Sequence, residues 1–247
     1  YFNNNFVDEY EITNFTDSLA HRGPDGSGIS IFNNKKLGLG HRRLNILDLS
    51  KNGSQPMTYL NHRYSISYNG EIFNYLELKK ELVSLGYKFK SKTDTEVILA
   101  AYDRWKENSF LKFNGMWSFA LWDNKLKTLT LSRDRFGEKP LYFRYINKKF
   151  SFSSEVKSFV NLKDFDDSEF NYEILHNSKN LENNNNNIIK TVNTLKPGTN
   201  MIISHEGKIK TQRWWNIHEY IEPLKISYNE KVDYFEDIFK DSCKIRL

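Results

Sequence analysis

The sequence predicts an α+β fold of layered antiparallel strands, and three observations predict it. Apolar alternation recurs in short runs joined by brief turns. Helical periodicity in the body of the chain is confined to two neighbouring segments near its middle. Strands do not alternate regularly with helices, as a parallel βαβ array would require. The 247 residues are 38% hydrophobic and 15% aromatic, enough to build a real core.

Taken in order, the chain opens on two strand-forming aromatics, Tyr1 and Phe2, before the turn-like Asn3-Asn4-Asn5. No initiator methionine precedes them, so the end of a strand that begins upstream is expected. A Gly- and Pro-rich turn at 21–26 leads to strands at 28–32 and 37–41, and a third strand is expected at 64–68. Helical spacing then predicts one helix over 75–85, ended by Gly86. A second is predicted over 95–106, with Thr93-x-x-Glu96 in capping-box spacing at its start. Alternation resumes at 116–122, 126–132, 141–145 and 150–153. The polar, Asn-rich stretch 177–187 reads as a mobile loop. Lys196-Pro197-Gly198 marks a turn before a strand at 201–204. Val232, Phe235, Phe239, Cys243 and Leu247 then follow helical spacing with no stop signal, so a continuation beyond Leu247 is expected. Cys243 on that stripe reads as a buried structural cysteine.

Composition narrows the function classes. The net charge of +5 and pI near 9.0 come from Lys and Arg interleaved with acids, as in E-L-K-K-E at 77–81, which argues against a nucleic-acid surface. No apolar run reaches the roughly 20 residues of a membrane span, so no membrane partner is expected and a cytoplasmic location is. A single cysteine excludes an internal disulfide framework and a Cys-based zinc site, and no metal is expected in this chain.

Three groups carry potential chemistry, each with a plainer reading beside it. Asn69-Gly70-Glu71 follows a strand, and Asn-Gly is the commonest two-residue hairpin turn. The same pair can also present a side-chain amide and a bare backbone N–H, the equipment of an oxyanion hole. Arg43 is either a surface ion-pair residue near Asp48 or a clamp for a substrate carboxylate. Asp94 either caps a helix or holds a substrate ammonium. One cation, one anion and an amide-plus-glycine donor pair suit an amino acid with a reactive side-chain carbonyl.

H-R-G-P-D-G at 21–26, G-H-R-R-L-N-I-L-D at 40–48, Y-N-G-E-I-F-N-Y at 68–75, T-D-T-E at 93–96, F-N-G-M-W-S-F-A-L-W-D at 113–123 and R-D-R-F-G-E-K-P-L-Y at 133–142 together resemble the glutaminase domain of glutamine-dependent asparagine synthetases, in order and spacing across roughly residues 1–160. L-K-P-G at 195–198 and the terminal D-S-C-K-I-R-L resemble the same family's approach to its second domain. The resemblance implies an N-terminal-nucleophile (Ntn) hydrolase, a four-layer αββα sandwich of two antiparallel sheets. It further implies a class II glutamine amidotransferase domain at 1–215 lacking its first residues. Residues 216–247 would then be a linker and the first helix of a truncated α/β synthetase domain.

By the family's pattern Arg43 and the backbone through Leu44, Asn45, Ile46 and Leu47 bind glutamine. Asn69 and Gly70 form the oxyanion hole, Glu71 completes that loop, and Asp94 holds the α-ammonium. The nucleophile, the Cys of a Cys-Gly-Ile-x-Gly opening, would lie just before Tyr1, and the ATP-binding loop just after Leu247. ATP and Mg²⁺ therefore belong to the second domain, with no cofactor in this chain. The expected partners are glutamine, the synthetase domain of the same parent chain and a second copy in a homodimer. A relative with a different acceptor and a nucleophile-less domain of the same fold are the alternatives.

Overall fold

A computed structural model describes residues 2–3, 6–46, 48–176 and 187–246. The expected loop at 177–187 falls outside the described residues except for Asn187, as do Tyr1, Leu47 and Leu247.

Among the described residues, twelve strands form two six-stranded sheets whose ladders are antiparallel throughout. In the first sheet the strands are β1 (Phe2–Asn3), β2 (Gly26–Phe32), β3 (Leu37–Arg43), β8 (Tyr142–Ile146), β9 (Lys149–Ser153) and β10 (Val192–Thr194). Their order is β10-β8-β9-β1-β3-β2. The second sheet contains β4 (Met57–Tyr59), β5 (Tyr64–Ile72), β6 (Gly115–Asp123), β7 (Thr128–Arg133), β11 (Thr199–Ser204) and β12 (Ile209–Arg213), in the order β12-β11-β7-β6-β5-β4. Helix α1 (Glu9–Asp17) packs on the first sheet, while α2 (Tyr75–Ser84), α3 (Asp94–Trp105) and the short α4 (Ser109–Lys112) cover the second. The remaining helices are α5 (Tyr172–His176) and α6 (Tyr228–Lys244).

Side-chain alternation explains the layering. In β3, Leu37 and Leu39 enter a core shared with Trp122, Leu129, Leu131 and Met201 of the other sheet. The intervening Gly38 and Gly40 face α1 so closely that a Cβ would run into Ile12 and Thr16. Strand β6 is buried on both faces, with Trp117, Phe119 and Leu121 under the helices and Ala120 and Trp122 between the sheets. It therefore reads as a nearly continuous apolar run instead of an alternating one. The result is helix, sheet, sheet, helix, the four-layer sandwich that the resemblance implied.

Helix α1 has no strong sequence signature, because only Ile12 and Phe15 of its apolar residues are buried, beside Glu11 and Thr16. It starts where the Asp8 carboxylate accepts from Tyr10 and Glu11 N–H at 2.9 and 3.0 Å. At α3 the capping box is half made. Thr93 Oγ1 accepts from Glu96 N at 3.4 Å, but the Glu96 carboxylate turns to the N–H groups of Lys90 and Ser91 and closes the preceding loop.

Two readings are corrected. The Asn69-Gly70 pair is no hairpin turn, because β5 carries on through it and pairs Asn69 with Ser118 and Gly70 with Trp117. Cys243 is exposed, as are Val232, Phe235 and Phe239. Helix α6 forms as its spacing predicts, but its apolar stripe is exposed. The end of this segment does meet the sandwich, through Arg246 stacked 4.3 Å over Phe73.

Candidate active site

A cavity of about 450 Å³ opens where the two sheets face each other, and Arg43, Leu44, Ile46, Asn69, Gly70, Glu71 and Asp94 all line it. Asn45 lies in the same 44–50 loop without lining it, and Leu47 lies outside the described residues. Residues as far apart in sequence as Arg43 and Asp94 thus converge because β3, β5 and the start of α3 meet at one place.

Strand β5 supplies the central feature. Asn69 points toward the other sheet, as does Ser67, whose Oγ donates to the Gly40 carbonyl at 2.9 Å. The Asn69 Nδ2 is buried and has no hydrogen-bond partner, which is rare for a buried donor. The backbone adds a second donor. Along an antiparallel strand, N–H groups alternate between the two edges. Tyr68 N donates to Gln55 Oε1 at 2.7 Å and Ile72 N to Asp94 Oδ2 at 3.0 Å, both on the edge away from β6. Gly70 N–H lies between them on that same edge. A Cβ at Gly70 would run into the Met116 carbonyl oxygen, so only glycine permits this spacing of β5 and β6.

Asp94 is 5% exposed and accepts from the Tyr68 hydroxyl at 2.7 Å as well as from Ile72 N. Burial raises its pKa; these two bonds and one from Thr95 N oppose the rise, and the nearby Glu71 charge adds to it. A cation entering the cavity would relieve both the burial and the Glu71 repulsion. The Tyr68 hydroxyl is held well above its usual range by burial and by Asp94, so it stays a donor.

Arg43 makes no ion pair with the Asp48 carboxylate. Its guanidinium donates to the Ser50 carbonyl at 3.0 Å and to the Asp48 carbonyl, so it braces the 44–50 loop from inside. The Asp48 carboxylate instead accepts from Ser50 N at 2.8 Å and Lys92 N at 3.1 Å, and its pKa falls to about 2 through bonds from Ser50 and Lys92. The H-R-G-P-D-G turn holds the other side of this loop. Asp25 N donates to the Arg43 carbonyl at 3.0 Å, and the Asp25 carboxylate accepts from Asn45 N at 2.9 Å. The flanking His21 and Arg22 both reach Glu155, at 2.9 and 3.1 Å.

Sequence reasoning missed three contributors. Gln55 has no sequence signal beyond preceding a proline. Tyr68 looks like an ordinary strand aromatic. His41 lies in a quoted motif, yet only the fold shows its Nδ1 3.3 Å from Ser67 Oγ. Because the Ser67 hydroxyl hydrogen goes to Gly40, His41 must donate from Nδ1 and keep Nε2 as an acceptor. Burial and then the Arg43 charge lower its pKa to about 4, so the ring is neutral near pH 7.

The αββα frame, with Arg43, Asn69, Gly70 and Asp94 gathered at one cavity, is a fold of the Ntn-hydrolase type. The chain belongs to the glutamine amidotransferase domain family, which it matches over residues 1–215. It is 34% identical over 238 residues to asparagine synthetase (glutamine-hydrolyzing) 1 of Bacillus subtilis, covering 96% of this chain and 37% of that one. It is 42% identical over 175 residues to putative asparagine synthetase (glutamine-hydrolyzing) 2 of Methanocaldococcus jannaschii, covering 64% of this chain and 33% of that one. The chain thus spans about a third of the length of these curated relatives. Among solved structures, glutamine phosphoribosylpyrophosphate amidotransferase from Bacillus subtilis, complexed with ADP and GMP, shares the fold with a TM-score of 0.63. That likeness has 20% identity and covers 85% of this chain and 48% of the other. Among the described residues, no helix is long and apolar enough to cross a membrane, and no group of three or more His, Cys, Asp or Glu side chains could hold a metal ion.

Proposed function

We propose that this chain is the glutaminase part of an asparagine synthetase. In the parent protein it would hydrolyse glutamine to glutamate and ammonia, which a second domain would use with ATP and Mg²⁺ to convert aspartate to asparagine, AMP and diphosphate. The observation that carries the reading is the unpaired Asn69 Nδ2 beside the outward-facing Gly70 N–H in a cavity flanked by Arg43 and Asp94. Those two donors suit the oxyanion that forms when a thiolate adds to the glutamine side-chain carbonyl. Asp94 and Glu71 suit the α-ammonium, and the Arg43-braced loop suits the α-carboxylate.

The nucleophile in this reading is a cysteine preceding Tyr1. Register supports it: Phe2 lies opposite Leu37, so the position six before Phe2 falls opposite Arg43, six beyond Leu37. That position is the first of a five-residue Cys-Gly-Ile-x-Gly opening. Odd-numbered side chains of β3 face between the sheets, and a cross-strand partner of Arg43 would face the same way. The α-amine of such a residue has an ordinary pKa near 7.7–8.0, so its neutral fraction can accept the thiol proton. The sulfur then adds to the carbonyl carbon, the C–N bond breaks, and the same proton goes to the leaving nitrogen as ammonia. Water then attacks the thioester, the C–S bond breaks, glutamate is released, and a proton from that water goes to the sulfur.

The test is glutamate release from glutamine by the full-length parent, followed by asparagine formation with aspartate, ATP and Mg²⁺. No glutamate release would leave a non-catalytic domain of this fold. Glutamate release without asparagine would leave an amidotransferase with another acceptor.

A further inference from the structure

Pairing of β4 with β5 begins at Met57 opposite Ile66, and extending that register sets Pro56 opposite Ser67 and Gln55 opposite Tyr68. The backbone ladder ends at Met57, because the Gln55 main chain lies against Gly28 of the opposite sheet. At Tyr68 the Gln55 side chain takes over. Its Oε1 accepts from Tyr68 N at 2.7 Å and its Nε2 donates to the Tyr68 carbonyl at 3.2 Å. A carboxamide offers the same acceptor and donor as a peptide unit, so this adds one more rung to the edge of β5. The Gln55 main chain is anchored on the opposite sheet, where its carbonyl sits so close to Gly28 that a Cβ there would collide with it. Gln55 therefore joins both sheets at the cavity it helps to line. The next outward N–H along β5 is that of Gly70, and the one after it is tied to Asp94.

We infer that Gln55 is a positioning residue for the oxyanion donor: its amide fixes the rung before Gly70, Asp94 fixes the rung after it, and the Gly70 N–H between them stays open and aimed. This inference rests on the reading of Gly70 as an oxyanion donor. Gln55 touches neither glutamine nor the nucleophile in it, so its effect belongs in kcat and in the geometry of β5.

The experiment compares the full-length parent with its Gln55→Ala and Gln55→Glu variants by amide hydrogen exchange, glutaminase kinetics and thermal unfolding. In Gln55→Ala the Tyr68 amide loses its protection, kcat falls by roughly ten- to a hundredfold and KM for glutamine changes by less than about threefold. In Gln55→Glu the outcome depends on pH. A protonated carboxyl can make both bonds to Tyr68, whereas a carboxylate keeps only the acceptor and sets a negative charge against the carbonyl. The kcat ratio of this variant to wild type therefore rises as pH falls, while that of Gln55→Ala stays flat. Unchanged Tyr68 exchange in Gln55→Ala overturns the clamp. Lost protection with unchanged kcat overturns its role in positioning, and a lower melting temperature with unchanged kcat leaves Gln55 a structural residue only. A wild-type parent that releases no glutamate overturns the glutaminase reading and the catalytic role together, and the exchange data still decide the clamp.

Discussion

Asn69 keeps a buried amide nitrogen without a partner, at a cost of roughly 1–3 kcal/mol for a neutral buried donor. Its place on the cavity lets a group arriving from outside satisfy it. Asn69→Ala in the full-length parent is expected to lower glutaminase kcat by about 10²–10³ with a much smaller change in KM, measured by steady-state glutamate release. A rise in KM alone would show that Asn69 binds ground-state glutamine and not the oxyanion. Asp94 calls for the opposite pattern. Asp94→Asn can still accept from Tyr68 and Ile72 but loses its charge, so KM for glutamine is expected to rise roughly tenfold or more, with kcat less affected. Thermal stability should hold or improve, since burial disfavours the charged form. His41 gives a pH dependence. Its folded pKa, lowered to about 4 by burial and Arg43, lies below the ordinary 6.5, so between these values the unfolded chain binds more protons. Its contribution is complete above pH 6.5 and is lost as pH falls toward about 4. Urea unfolding across that range should show stability falling with acid in wild type and a flatter profile in His41→Gln.

Among the elements, β5 shows how long-range pairing overrides a local preference. Asn-Gly favours a tight turn, yet nine successive residue pairs between β5 and β6 carry the strand straight through it. The start of α3 shows a compromise between neighbours. Glu96 leaves the capping box to close the 90–91 loop, so Thr93 caps the helix alone, and the Asp94 that follows reaches back to β5. Thr93→Ala should cost about 1 kcal/mol in urea unfolding, the usual value of an N-cap side chain. Glutamine affinity should weaken with it, because the helix start carries Asp94. The described residues of the 44–50 loop have no regular structure of their own, and they are held by Arg43 inside and Asp25 outside.

At the scale of the whole molecule, two sheets share a core of large side chains, and a chain of charges ties the first sheet to its helix layer. Arg144, 1% exposed, bonds Asp164 at 3.0 Å and Glu169 at 2.8 Å, and Lys149 joins Asp164 to Glu11 of α1. Removing one member of such a set strands its partners in low dielectric. Arg144→Ala is therefore expected to lose about 3–5 kcal/mol by chemical denaturation, and Arg144→Lys less. The alternation in strands at 28–32, 64–68, 116–122 and 150–153, the helices at 75–85 and 95–106, and the motif set around 21–26, 40–48 and 68–75 were all legible in the sequence, because periodicity and turn chemistry are local. Helix α1, strand β4 and the Gln55 rung were not, since each is stable only through what it packs against. By itself the sequence determined the α+β class, the family and the residue types that meet at the cavity. Only the tertiary structure decided that Asn69-Gly70 is strand and not turn, that Arg43 braces a loop, that Cys243 is exposed, and which N–H groups stay unpaired. Those outcomes depend on which partner each edge and side chain finds across the fold, and local propensity carries no record of that partner.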